Sequence, residues 1–174
     1  MEILSPIKPE EAARIIAACC DTLVKIDVAV ITPSMIRILP NGISVGNIDH
    51  VQAVAYSAPE LIADALQKSG SVGGNSTRPT LFVRAQRQCS LVFSVGCILW
   101  EMISGRRLFE AETDYETMLL TQTGVVPILG NELADLESIV KKAVAKQAED
   151  RYHSLSELRD ALIEYLGPGQ QESP

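Results

Sequence analysis

The feature that most constrains the fold is the stretch at 91–104, LVFSVGCILWEMIS, in which Glu101 is the only charged residue. Large apolar side chains recur there at helical steps, at positions 91, 92, 95, 98, 99 and 102. The positions between them carry small residues, such as Ser94 and Gly96, instead of charged ones. A helix without a polar face is normally buried inside a domain. The sequence therefore predicts a central helix that other elements surround and that Gly105 terminates.

Around that helix, the spacing of apolar residues and the end signals predict five further helices and one hairpin. Thr113 with Glu116, and Ser154 with Glu157, form capping-box patterns that mark two helix starts. The predicted helices cover about 9–26, 58–66, 91–104, 113–122, 133–144 and 154–166. The β-like runs are 28–31, 36–39 and 43–48, with a turn at Pro40-Asn41-Gly42. Without βαβ alternation, the pattern predicts a mainly α domain over 1–166 with a small β-hairpin.

Two segments are predicted to lack regular structure. Residues 68–80 are rich in Gly, Ser and Thr, which is typical of a flexible loop. Residues 167–174 follow the helix stop at Gly167-Pro168 and are predicted to be a disordered tail. The longest apolar runs fall short of the roughly 20 residues of a membrane span, and no secretory signal is recognised, so we expect a cytoplasmic protein.

Charge and cysteine usage exclude several classes of function. The formal net charge is −7, which disfavours nucleic acids and acidic membranes as partners because phosphate contacts come mainly from Lys and Arg. A basic peptide is the more natural partner. The four cysteines, at 19, 20, 89 and 97, form no CxxC pair and lie in apolar stretches, so we interpret them as buried free thiols. With only two histidines, no metal site and no cofactor are predicted.

Four motifs in sequence order resemble the C-terminal lobe of a eukaryotic-type protein kinase. Residues 56–60, YSAPE, are similar to the Ala-Pro-Glu motif, and 92–102 to the buried helix at the lobe's centre. Residues 104–109, SGRRLF, resemble the turn and Pro-Phe signature, and 148–151, AEDR, the stretch with the family's structural Arg. The resemblance spans about 4–166 and implies a kinase C-lobe-like helical domain; no N-lobe is expected.

The same resemblance implies one structural ion pair. The family pairs its Ala-Pro-Glu carboxylate with the late Arg, and these positions are Glu60 and Arg151 here. We expect a bidentate, partly buried pair, because the planar guanidinium matches a carboxylate. The alternative is two unrelated surface charges.

The positions that correspond to catalytic residues in the family carry other side chains here. Val28, Ala29 and Val30 stand where His-Arg-Asp is expected, and Thr32 and Met35 stand for the Lys and the metal-binding Asn. The degenerate kinase positions are Val28, Ala29, Val30, Thr32, Met35, Asp49 and Leu91. Asp49 is either a relic of the second metal ligand or a loop Asp, and Leu91 replaces an Asp of the central helix. The run at 28–30 is interpreted as packing residues on a strand.

From these replacements the sequence predicts that the chain is not an enzyme but a protein-interaction module, similar to the kinase non-catalytic C-lobe domain, KIND. Seven acidic residues cluster between or beside the helices at 113–122 and 132–145: Glu110, Glu112, Asp114, Glu116, Glu132, Asp135 and Glu137. They are predicted to receive a basic amphipathic segment there, or beside the loop at 50–60. A solvated rim is the alternative interpretation. Two other functions stay open: a regulatory pseudokinase fragment or half of a split kinase, and a domain that buries an apolar patch in a homodimer.

Overall fold

The structure is a computed structural model that describes residues 6–26, 28–40, 42–46, 54–69 and 80–167. These residues form six α-helices and one two-stranded antiparallel sheet, so the predicted mainly helical, kinase C-lobe-like fold is confirmed. The helices are α1 (Pro9–Leu23), α2 (Pro59–Ser69), α3 (Thr80–Ser104), α4 (Asp114–Thr123), α5 (Ala134–Ala143) and α6 (Leu155–Leu166). The strands are β1 (Ile36–Leu39) and β2 (Gly42–Val45).

Helix α3 lies at the centre of the molecule, as its lack of charge predicts. Every residue at 90–103 is buried, and α1, α5 and α6 all contact this helix. Gly96 permits the closest of these approaches, because a Cβ there would lie 2.7 Å from Val144 Cγ1 and 2.8 Å from Ala143 Cβ. A side chain at position 96 would therefore push α5 away from α3.

Helix α3 is longer than predicted and begins at Thr80, ahead of the apolar stretch. The residues at 81–90 include Leu, Arg, Ala and Gln and contain neither Gly nor Pro, so their helix propensity carries the helix backwards. Helix α2 likewise continues to Ser69. The predicted loop at 68–80 is thus shorter at both ends, and its remainder, 70–79, lies outside the described residues.

Helices α1 and α6 pack against each other and form one side of the core. The apolar stripe of α1, with Ile16, Cys20 and Leu23, is fully buried, as are Leu158 and Leu162 of α6. Burying each large aliphatic side chain stabilises the fold by about 1.5–3 kcal/mol. Helix α6 ends at Leu166 as predicted, where Gly167 adopts φ +71°, and the predicted disordered tail beyond 167 lies outside the described residues.

The predicted hairpin is present, but the run at 28–31 is not a strand. Strands β1 and β2 pair antiparallel with Leu39 opposite Gly42, and Asn41 of the predicted turn lies outside the described residues. In the part of the chain that the structure describes, no strand lies beside 28–31 to complete a ladder. Val28 and Val30 are half-buried and pack against the core, so apolar packing explains why aliphatic residues occupy 28–31.

Both predicted capping patterns position a helix start. Thr113 Oγ1 accepts a hydrogen bond from the Glu116 N–H at 3.2 Å, and the Glu116 carboxylate accepts from the Thr113 N–H at 3.1 Å. At α6, Ser154 Oγ accepts from the Glu157 N–H, but the Glu157 carboxylate accepts from the N–H of His153, one residue earlier than in the standard box. Among the described residues, no helix combines the length and apolar character of a membrane span.

Candidate functional site

Glu60 and Arg151, which the sequence pairs across the chain, lie in contact. Glu60 is in the first turn of α2, and Arg151 follows the short 3-10 helix Ala148–Asp150. Arg151 Nη1 lies 2.9 Å from Glu60 Oε1, and Nη2 lies 2.8 Å from Oε2, so the pair is bidentate. The Arg151 side chain is completely buried, whereas that of Glu60 is 19% exposed.

All five N–H donors of the Arg151 guanidinium have acceptors. Besides the two bonds to Glu60, Nε donates to the Ala145 carbonyl at 2.7 Å, and the remaining two donors reach the Cys89 carbonyl at 3.2 Å and the Lys146 carbonyl at 3.1 Å. The guanidinium carbon also lies 4.9 Å from the centre of the Phe93 ring. A single side chain therefore joins α2, α3 and the segment after α5, which we call the Arg151 junction.

The electrostatics of the junction keep Glu60 ionised. Burial alone raises the pKa of the Glu60 carboxyl, but the hydrogen bonds and charge of Arg151 outweigh it and hold the pKa below the ordinary value of 4.5. Ser90 Oγ donates a further hydrogen bond to Glu60 Oε1 at 2.8 Å. The sequence does not predict this second partner, because a serine 30 positions away carries no pairing signal.

A second buried link, missed by the sequence analysis, joins the segment before α2 to α3. The Tyr56 hydroxyl donates a hydrogen bond to the Glu101 carboxylate, and Ser94 Oγ donates to the Tyr56 carbonyl at 2.7 Å. Burial raises the pKa of Glu101 above its ordinary value despite the hydrogen bond from Tyr56. Glu101 and Tyr56 are 45 positions apart, so only the tertiary structure brings them together.

Five of the degenerate kinase positions lie in the segment before the hairpin, and Leu91 lies in α3. Val28, Ala29 and Val30 are half-buried, whereas Thr32, Met35 and Leu91 are buried. The Thr32 hydroxyl lies 2.8 Å from that of Ser34, and the Met35 carbonyl accepts a hydrogen bond from the Gly46 N–H at 2.7 Å. Asp49 lies outside the described residues. The aliphatic side chains in this group pack, and they present no proton acceptor or cation ligand.

The seven predicted partner-binding carboxylates fall into two groups. Glu112, Asp114, Glu132 and Asp135 are exposed, and so is Glu110, which makes a 3.4 Å surface ion pair with Arg107. The two others, Glu116 and Glu137, accept hydrogen bonds that stabilise the local structure. Glu116 is the exposed carboxylate of the capping box at α4, and Glu137 is buried, accepting from the Leu129 N–H at 2.8 Å and from Lys141 Nζ at 2.5 Å.

Two clefts meet beside the segment at 54–57. Glu110, Glu112 and Asp114 line a small polar cleft of about 90 Å³ together with Val54. Val54 also lines an apolar cleft of about 340 Å³, which is closed by Val30, Leu61 and other residues of α2, and Met118 of α4. This apolar cleft lies beside residues 54–57, part of the stretch at 50–60 where one of the two grooves is predicted; which groove receives a partner stays a prediction. Within the described ranges, no cluster of His, Cys, Asp or Glu is placed to hold a metal ion.

Comparison with known proteins relates the chain to bacterial protein kinases. The serine/threonine-protein kinase PknB of Mycobacterium leprae is 25% identical over 178 residues, and PknB of Mycobacterium tuberculosis strain H37Rv is 25% identical over 187 residues. Each alignment covers 97% of this chain and 28% of the relative, so the chain spans little more than a quarter of those proteins. No protein-family model matches. The chain therefore resembles a region of serine/threonine-protein kinases.

The prediction that the chain is not an enzyme is wrong, because the proteins it matches are named as protein kinases, which are enzymes. That prediction rested on the side chains of one short segment. Phosphoryl transfer in kinases draws on groups from both lobes, including phosphate-binding and metal-binding groups far apart in the chain. Aliphatic residues at 28–30 therefore describe local packing and do not decide the enzyme class.

Proposed function

We propose that this chain is a kinase C-lobe-like module that binds a basic amphipathic segment of another protein. The proposed binding surface consists of α4 and the residues flanking it, from 108 to 140, which we call the acidic surface. We further propose that the chain is similar to KIND modules, which bind peptides. We also propose a cytoplasmic location, because the four cysteines are free thiols.

The observation that carries the proposal is the composition of the acidic surface. Residues 108–140 contain seven Asp and Glu and no Lys, Arg or His. Four of their large apolar side chains are nevertheless exposed: Tyr115 by 64%, Leu119 by 47%, Val125 by 67% and Ile128 by 75%. Arg107 and Lys141 flank this stretch and pair with Glu110 and Glu137, so the negative charge comes from the other five carboxylates. Exposed apolar groups within this negative field fit a partner that carries both apolar and cationic side chains.

The geometry of α4 explains how the apolar groups are presented. Tyr115 and Leu119 are four residues apart, so they lie on one face of the helix. Thr117 and Thr121, which are buried, fix the opposite face against the domain. The Thr113 capping box holds the start of the helix, and Gly124 with φ +67° ends it. The outward face of α4 is thus held in place by contacts that leave Tyr115 and Leu119 available.

Charge selects the occupant among the candidates. A second copy of the chain would bring the same negative charge to a symmetric interface through this surface, and like charges in contact oppose association. A cationic helix instead gains from apolar burial and from charge attraction. Its apolar side chains would cover Leu119 and Tyr115, and its Lys or Arg side chains would pair with Glu112 and Asp114. The homodimer that the sequence leaves open would have to use another face.

The test measures binding of a fluorescent 18-residue amphipathic peptide of Leu and Lys, with a scrambled peptide of equal charge as reference. Leu119→Ser is compared with Leu39→Ser, because Leu39 is similarly exposed, at 51%, but lies on β1. We expect Leu119→Ser to weaken binding about tenfold and Leu39→Ser to leave it unchanged. Salt should weaken wild-type binding, since exposed charges are screened.

Equal binding of both leucine variants, or equal binding of the scrambled peptide, would reject the acidic surface as the binding site. A follow-up pull-down from the native source should use Glu112→Lys with Asp114→Lys and leave Glu116 intact. Reversal of Glu116 would also break the capping box, so a lost interaction could then reflect damage to α4. Light scattering at the concentrations used reports a homodimer directly.

A second candidate function is that of one part of a kinase whose remaining groups lie elsewhere. The alignments to PknB favour it, because they cover nearly all of this chain but little more than a quarter of those kinases. A thermal-shift titration with ATP and Mg²⁺ tests it, with tripolyphosphate and Mg²⁺ as the reference ligand. Nucleotide at 100 times its Kd would stabilise the chain by about 2.7 kcal/mol. No shift with ATP beyond that of tripolyphosphate would count against this candidate.

A further inference from the structure

A cavity of about 540 Å³ opens beside the Arg151 junction, next to the C-terminal end of α4. Pro59 and Ala63 of α2, Cys89 of α3 and Ala148 form its largely apolar walls, and Gln122 at the end of α4 reaches its edge. None of these residues lines the apolar cleft near Val54, although α2 and α4 contribute to both. The cavity is therefore a separate feature, and it has no part in the function proposed above.

The walls of the cavity are held by the Arg151 guanidinium, whose five donors are all bonded. Glu60, Cys89 and Lys146 all line the cavity, and each is bonded to the Arg151 guanidinium through its carboxylate or its carbonyl. Because Arg151 is buried and all its donors are used, these three walls are fixed relative to one another. Ligand sites are commonly concave, apolar and formed before binding, with volumes of about 300–1,000 Å³.

The charges around the mouth indicate what kind of molecule fits. Lys146 and Glu149, both exposed, contribute opposite charges, and Gln122 and Gln147 contribute neutral amides. The carboxylate of Glu60 is already compensated by Arg151. The imidazole of His153 also lines the cavity. Lys146 and Glu149 balance each other, so the cavity offers apolar surface without the excess of carboxylates found on the acidic surface.

From this combination we infer that the cavity beside the Arg151 junction is a binding site for a small, uncharged and largely apolar molecule. Its apolar body would cover Pro59, Ala63 and Ala148, and a hydrogen-bonding group at one end would reach Gln122 or Gln147. Glu149 would repel an anionic ligand and Lys146 would repel a cationic ligand, so neither charge is favoured.

The first test titrates the protein with N-phenyl-1-naphthylamine, an uncharged probe whose fluorescence rises in apolar surroundings. Ala63→Trp fills the cavity from α2, and Ala65→Trp is its matched control, because Ala65 lies two residues further along and lines the other cleft. Both alanines are exposed, so neither change overpacks the core. We expect saturable binding to wild type and to Ala65→Trp, and binding weakened about tenfold or more in Ala63→Trp.

The inference would be overturned if wild type showed no saturable binding, or if Ala63→Trp bound the probe equally well. It would also be overturned if Ala65→Trp alone lost binding, because the probe would then lie in the cleft near Val54. The anionic probe 8-anilinonaphthalene-1-sulfonate is titrated in parallel, and tighter binding of that probe at the same site would reject an uncharged ligand class.

Cys89 supplies a second readout that needs no cavity variant. Of the four free thiols, Cys19, Cys20 and Cys97 are buried, whereas Cys89 is half-buried and lines the cavity, contrary to the expectation that all four are buried. We expect saturating N-phenyl-1-naphthylamine to slow the reaction of Cys89 with N-ethylmaleimide at least about fivefold, measured by mass spectrometry. Cys89→Ser, expected to lose that labelling, identifies the site. An unchanged rate with bound probe would reject the cavity as its location.

Discussion

Glu60 and Glu112 are the same amino acid in opposite settings, and the difference separates stability from binding. Glu60 sits in the Arg151 junction, where its carboxylate oxygens are bonded to the guanidinium and to Ser90. Glu112 is exposed on the acidic surface. A buried charge that loses its partner costs far more than an exposed one, since water solvates the exposed charge. The junction should therefore control folding, whereas the acidic surface should control association.

The largest effect should come from Arg151→Met, which keeps an unbranched apolar stem but removes all five donors. Glu60 and three carbonyls would lose their partner, and we expect the free energy of unfolding to fall by about 3–5 kcal/mol, measured by urea denaturation. Arg159→Met is the control, because Arg159 is bonded to Asp21 and Asp160 at the surface and should matter much less. Similar losses for the two variants would contradict the distinct role of the junction.

The pH dependence of stability should separate the carboxylates of Glu60 and Glu101. Arg151 lowers the folded pKa of Glu60 below 4.5, so the stabilisation from Glu60 is present above pH 4.5 and is lost as the pH falls through the folded pKa. We therefore expect the gap in unfolding free energy between wild type and Glu60→Gln to be largest near pH 7 and to shrink in acid. Urea denaturation from pH 3 to 7 measures it.

Glu101→Gln is the matched control with the opposite sign. Burial raises the folded pKa of Glu101, so its contribution is fully present below pH 4.5 and is lost as the pH rises through the folded pKa. Relative to wild type, Glu101→Gln should therefore gain stability as the pH rises. The same pH trend in both variants would mean that Arg151 does not determine the behaviour of Glu60.

A smaller effect is expected from Thr113→Ala, at the boundary between the fold and the acidic surface. It removes the hydroxyl that caps α4 but keeps the backbone N–H that bonds the Glu116 carboxylate, so we expect a loss of about 1 kcal/mol in the free energy of unfolding. Ser138→Ala, at an exposed position within α5, should be neutral or slightly stabilising because Ala favours a helix. An unaffected Thr113→Ala variant would mean that α4 does not depend on its cap.

The smallest effect on stability is expected from Glu112→Gln combined with Asp114→Asn. Both side chains are exposed, so the unfolding free energy should change by no more than about 0.5 kcal/mol, as measured by thermal denaturation. Glu137→Gln is the comparison within the same surface, because Glu137 is buried and bonded to Leu129 and Lys141, and it should lower stability measurably more. The reverse order would place structural work on Glu112 and Asp114.

Local patterns predicted what depends on neighbours in the chain. The capping box at Thr113, the hairpin turn after Leu39 and the buried character of α3 all follow from residues within a few positions of each other. The start of α3 at Thr80 was not predicted, because the prediction relied on an apolar stripe and residues 81–90 have helix propensity without such a stripe. The strand predicted at 28–31 was wrong because a strand also needs a partner, which the local pattern does not supply.

The candidate site was predictable only where a motif joined distant positions. Glu60 and Arg151 were paired through resemblance, but the roles of Ser90 and Tyr56 were not found, because neither residue carries a signal of its distant partner. Glu116 and Glu137 were grouped with the other acidic residues for the same reason. Charge alone does not distinguish a carboxylate bonded to backbone N–H groups from one that faces solvent.

The sequence by itself determined the helical class, the central position of α3, the ends of α4 and α6, and the strong negative charge of 108–140. Only the tertiary structure decided which carboxylates are bonded, how closely Gly96 lets α5 approach α3, and that a cavity opens beside Arg151. The physical reason is range: helix propensity, capping and charge act over a few residues, whereas burial and hydrogen-bond partners depend on residues as far apart as 60 and 151.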